Sequence, residues 1–83
     1  MTILEKIIEE YPDEKFMYPT GYEDCVLGVE EESLLLIMDS DKIIDKLMRE
    51  DEMTYEDAQE HFSYNISGSK GEGMPIYVRT FNN

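Results

Sequence analysis

The chain has 83 residues, and its 20 acidic against seven basic side chains give a formal net charge of −13. Such a charge disfavours direct contact with nucleic-acid phosphates, where affinity comes from Lys and Arg displacing counterions, and it opposes attraction to an anionic membrane. The lone Cys25 excludes an intramolecular disulfide and suits a reducing compartment, and no stretch approaches the roughly 20 apolar residues that span a bilayer.

The first ten residues alternate charge with aliphatics, unlike a secretion signal, so the reading is one small cytoplasmic domain. A domain of this length buries only roughly 60% of its unfolded surface, so the core will be thin. The acidity is uneven: residues 1–60 hold 19 acids and five bases, whereas residues 61–83 hold one acid and two bases.

In chain order, Ile3, Leu4, Ile7, Ile8 and Tyr11 form one stripe of an α-helix. Thr2 followed by Glu5 has the spacing of a capping box and Pro12 blocks continuation, so the pattern predicts a helix over 3–11. Residues 12–24 hold Pro12, Pro19 and Gly21 and read as a turn-rich connection with a short extended piece at 16–18. Loops of that length in small domains are often functional. Cys25, Leu27 and Val29 alternate with Val26 and Gly28, and residues 34–38 are all apolar. Two adjacent strands over 25–29 and 34–38, joined by a glycine-free turn, explain this better than an interrupted helix.

Asp39 and Ser40 precede a stripe of Ile43, Ile44, Leu47 and Met48, which predicts a helix over 40–50. Its acidic end, Glu50-Asp51-Glu52, opposes the helix dipole and is expected to fray. Thr54 opens a second capping sequence, with Tyr55, Ala58, Phe62 and Ile66 on one face of a helix over 55–66. Residues 67–73 read as a flexible glycine-rich loop, 75–80 as a last strand entered through Pro75, and the tail as frayed. The expected fold is α+β in the order α-β-β-α-α-β, with a three-stranded sheet, antiparallel or mixed, and helices on one face.

Patterns that could carry chemistry fail on inspection. Asp39, Asp41, Asp45 and Glu50 have the spacing of a calcium loop, but Ile44 stands where glycine must turn the chain and Ile43 replaces an oxygen ligand. The glycines from Gly68 to Gly73 lead into a strand, whereas a phosphate loop opens a helix. His61 has no companion ligand or nucleophile motif, and Cys25 sits in an apolar run. The expectation is therefore no catalytic residue, no metal and no cofactor.

Tyr18, Tyr22 and Tyr64 lie in polar surroundings that suit a contact surface as well as a core. A charge of −13 exceeds the magnitude of roughly 2–8 that solubility needs, so part of it can serve a basic partner. Aliphatic stripes on three helices exceed what one small sheet covers, which leaves room for a homodimer.

Four segments occur in a distinctive order. They are Gly21-Tyr22-Glu23-Asp24-Cys25-Val26-Leu27-Gly28-Val29; Met38-Asp39 with Asp41-Lys42-Ile43-Ile44; Met53-Thr54-Tyr55-Glu56-Asp57-Ala58 with His61-Phe62 and Tyr64-Asn65-Ile66; and Gly71 and Gly73 with Pro75-Ile76-Tyr77. Over residues 21–78 the chain resembles a family of small, uncharacterised bacteriophage proteins. The resemblance implies a phage origin, and small acidic phage proteins commonly block host enzymes or defence systems.

Charge and resemblance together lead to the expectation of a non-enzymatic accessory protein in the host cytoplasm. It would bind and inhibit a basic host protein, presenting carboxylates as nucleic acid presents phosphates. The residues expected to meet that partner are Tyr22, Glu23, Asp24, Glu30, Glu31, Glu32, Tyr64 and Asn65. The alternative is a protein that sequesters a nucleotide signal through Gly68, Lys70, Gly71 and Arg79, in the least acidic part of the chain.

Overall fold

In the computed structural model, which describes residues 1–68 and 71–81, the capping box at Thr2 is formed. The Thr2 hydroxyl accepts the Glu5 N–H at 3.1 Å and the Glu5 carboxylate accepts the Thr2 N–H at 2.9 Å, satisfying donors that a helix start leaves free. Helix α1 spans Ile3–Glu10 and Tyr11 caps it, one residue inside the predicted end. The connection that follows forms no strand, and the extended piece expected at 16–18 pairs with nothing in the sheet. A single 3₁₀ turn at Glu23–Cys25 leads into β1 (Val26–Val29).

The turn between β1 and β2 (Leu36–Asp39) manages without glycine because the Glu30 carboxylate does the folding. It accepts the N–H groups of Glu32 and Ser33 at 3.2 and 2.8 Å, while Leu34 takes the left-handed conformation with φ 58°. Leu34 and Leu35 therefore belong to the connection, and β2 starts two residues later than predicted.

Strand β2 runs without a loop into α2 (Ser40–Glu50), followed by α3 (Tyr55–His61), a π-helical turn at Phe62–Ile66, and β3 (Ile76–Val78). The order is the expected α-β-β-α-α-β, and the sheet is mixed: β1 pairs antiparallel with β2, and β3 parallel with β2. The long crossover through α2 and α3 is what allows a parallel neighbour.

In the β1–β2 pair, Val26 faces Met38 but Gly28 faces Ile37, so Leu27 is an extra residue in a bulge. The bulge resets the side-chain alternation and puts Val26 and Val29, three residues apart, on the face of Met38 and Leu36. That face meets Leu4 and Ile7 of α1, Ile43 and Leu47 of α2, Ala58 of α3 and Ile66 in one core. Leu27 and Ile76 stay 42% and 37% exposed.

Cys25 belongs to this core, at 1% exposure. Burial, with the Asp24 carboxylate beside it, pushes the thiol pKa up to about 11. The thiol is therefore protonated and shielded at neutral pH, as a core residue and not as a nucleophile. Ellman's reagent is expected to label it at least about 100-fold more slowly in the native protein than in guanidinium chloride. Comparable rates would mean that the core is open at this point. Because the folded value lies above the ordinary 9.0, the stability this thiol contributes is complete below pH 9 and is lost as pH rises towards 11.

Candidate binding surface

The passage from β2 into α2 places three polar residues in a row, and each ties down the end of β3. Asp39, 5% exposed, caps α2 by accepting the Lys42 N–H at 3.1 Å, and both its oxygens lie 3.0 Å from the Thr80 hydroxyl that donates to them. The Ser40 hydroxyl donates to the Val78 carbonyl at 3.0 Å. Asp41 accepts the N–H groups of Thr80 and Phe81 at 3.1 and 2.7 Å and forms an ion pair with Arg79 at 3.2 Å. The Phe81 N–H, with Arg79 and Thr80, holds the Asp41 carboxyl below its usual pKa. Phe81 itself sits in the left-handed region, φ 54°, with the Arg79 guanidinium 4.3 Å from its ring centre.

Beside this latch lies an open depression of about 970 Å³ between α3, the π turn, the first turns of α2 and the end of β3. Thr54 starts α3 by accepting the Asp57 N–H at 3.1 Å, and Ala58, fully buried, lets the helix approach α2 closely. With Ala58 inward, Glu56, Asp57 and Glu60 line the outer wall and are exposed. Phe62 and Tyr77 line it too, their rings perpendicular and 5.2 Å apart. The Tyr77 hydroxyl is buried with no hydrogen-bond partner among the described residues, and burial raises its pKa. Across Ile44 and Arg79 a second depression of about 740 Å³ continues past Asp45, Met48, Tyr55 and Phe81.

No family model, curated protein or solved structure matches the chain. Among the described residues, no helix is long and apolar enough to cross a membrane, and no three His, Cys, Asp or Glu side chains are grouped to hold a metal ion.

The partner-binding residues expected from the sequence do not form one patch. Tyr22 is half-buried against the core, with the Lys46 ammonium 5.6 Å from its ring centre, and burial raises the pKa of its phenol. Glu23 accepts the Gly21 N–H, and Asp24 forms an ion pair with Lys46 at 3.0 Å. Glu30 is folded into its own turn, leaving Glu31 and Glu32 exposed at the opposite end of β2 from the latch. Tyr64 lies at the depression, 80% exposed, and Asn65 lies within 3.3 Å of the His61 ring nitrogen Nδ1.

Of the alternative ligand residues, Arg79 lines the depression, Gly71 belongs to a turn before β3, Gly68 closes the π turn, and Lys70 lies outside the described residues. An anion drawn to Arg79 would meet Glu56, Asp57 and Glu60 in the same depression, with Asp41 already on the guanidinium.

Three of the 20 carboxylates, those of Asp24, Asp41 and Asp45, form ion pairs among the described residues. Four more, on Glu5, Glu23, Glu30 and Asp39, accept hydrogen bonds from the chain. The remaining thirteen are exposed and bonded to no described residue. Six of these, Glu50, Asp51, Glu52, Glu56, Asp57 and Glu60, follow one another from the end of α2 along α3. Sequence reasoning missed the last three as a site, although the Glu56–Glu60 spacing of one helical turn was visible.

Proposed function

We propose that this is a non-enzymatic accessory protein of the phage type that binds, and by binding inhibits, a basic host protein. The observation that supports this is the set of thirteen exposed carboxylates bonded to no described residue, on a chain whose Lys42, Lys46, Arg49 and Arg79 are already engaged by its own oxygens. Leaving so many like charges unneutralised destabilises a compact domain through self-repulsion, a cost that a cationic surface offsets on binding. Carboxylates presented in series compete for the Lys and Arg side chains that otherwise hold phosphates, which makes a nucleic-acid-binding channel the natural target. Association would be steered by long-range attraction and screened by salt.

Affinity capture from host lysate at low salt tests this. A basic partner is expected to be retained and then released progressively as salt rises towards about 0.5 M, where the screening length falls to a few ångströms. Recovery of no basic partner, or retention indifferent to salt, would end the proposal.

A further inference from the structure

We infer that the partner docks in the depression between α3 and β3, and that what enters it is a basic peptide segment carrying an aromatic side chain between cationic ones. This inference rests on the basic-partner reading and adds the place and the chemistry of the contact.

Four observations converge there. Glu56, Asp57 and Glu60 supply three carboxylates bonded to no described residue, in a depression where Arg79, which Asp41 already holds, is the one cation among the described lining residues. The depression is amphipathic as well as acidic: the perpendicular Phe62 and Tyr77 rings and the exposed Tyr64 ring offer the stacking surfaces on which interface anchors settle. Its wall is a π-helical turn, in which the Ser67 N–H reaches the Phe62 carbonyl at 2.7 Å, and such turns recur at functional sites. The buried Tyr77 hydroxyl, lacking any described partner, leaves a polar group beside those rings.

Other surfaces offer less. Glu31 and Glu32 carry charge on an exposed turn with no aromatic side chain beside them in the sequence, and the exposed Leu27 and Ile76 of the sheet have nothing to say what would cover them.

Two blocked peptides of equal charge, Lys-Lys-Phe-Lys-Lys and Lys-Lys-Gly-Lys-Lys, titrated into the isotope-labelled full chain and followed by amide chemical shifts, test the inference. The phenylalanine peptide is expected to bind about tenfold more tightly, with the largest shifts at Ile44, Phe62, Tyr64, Tyr77 and Arg79. The Glu56→Lys/Glu60→Lys variant should weaken it about tenfold, whereas Glu31→Lys/Glu32→Lys, an equal change of charge elsewhere, should weaken it less than about threefold. Glu56→Gln/Glu60→Gln, with a smaller change of charge, gives the same ordering if the reversed variant does not fold.

Shifts centred on the hairpin turn or spread over all acidic segments, equal affinity for the two peptides, or equal losses from the two reversals would overturn the docking site while leaving the basic-partner reading intact. No response to either peptide at low salt would remove both.

Discussion

Replacing Asp39 with alanine is expected to lower the unfolding free energy by about 3 kcal/mol and to release the chain beyond β3. Two losses add. The first is the N-cap of α2, worth about 1 kcal/mol when the residue that accepts the Lys42 N–H is truncated. The second is the acceptor for the Thr80 hydroxyl, which points at both Asp39 oxygens in a part-buried place; leaving such a donor unpaired costs about 1–3 kcal/mol. A chain of this length has roughly 4–12 kcal/mol of stability in total, so the variant gives up a large share of it.

Thr80→Val separates the two terms, because it removes the donor together with its need for an acceptor. Chemical denaturation of the single and double variants should return a coupling between Asp39 and Thr80 of about 1 kcal/mol or more. If Asp39→Ala costs no more than Thr80→Val, with no coupling, Asp39 is only a helix cap and the latch is not energetically real. Amide exchange gives a second readout, since the Thr80 and Phe81 N–H groups held by the neighbouring Asp41 should lose protection in Asp39→Ala. Acid should loosen the same place. The Asp41 carboxyl titrates below its ordinary 3.8 in the folded protein, so its contribution is complete above that value and is lost as pH falls through the lower folded one.

The latch also explains which parts of the molecule could be foreseen. Helix starts at Thr2, Asp39 and Thr54 are encoded within four residues of sequence by a side-chain oxygen and the N–H it accepts, so all three helices and their order were legible. The latch joins residues about 40 positions apart, and nothing in the local pattern of Asp39 or Asp41 points to Thr80.

Long separation hid the parallel pairing of β3 for the same reason, and the bulge at Leu27 shows itself only in the register with β2. Charge was legible as a total but not as a surface. Asp24 and Glu56 look alike in the sequence, yet one is neutralised by Lys46 across 22 residues and the other faces solvent beside an aromatic depression. The π turn was hidden too, since Tyr55, Ala58, Phe62 and Ile66 fit an uninterrupted helix equally well.

Gly68 offers the sharpest test of that turn, because two descriptions of it predict opposite signs. As a residue of a flexible loop, Gly68→Ala should be neutral or should stabilise by about 0.4–1 kcal/mol, through restriction of the unfolded chain. In the folded structure a Cβ at Gly68 would lie 2.3 Å from the Ser63 carbonyl oxygen and 3.1 Å from that of Tyr64, and both atoms are backbone. Neither can swing aside as the tip of a side chain would, so the main chain of the π turn must move. The expected result is a loss of about 2–3 kcal/mol, read from denaturant midpoints at unchanged slope. The same movement displaces Phe62 from its perpendicular contact with Tyr77, so the aromatic amide signals around the depression should shift and the phenylalanine peptide should lose affinity. Gly68→Ala that is as stable as the parent would mean that the close approach of this glycine to Ser63 does not exist, and the docking wall would have to be drawn differently.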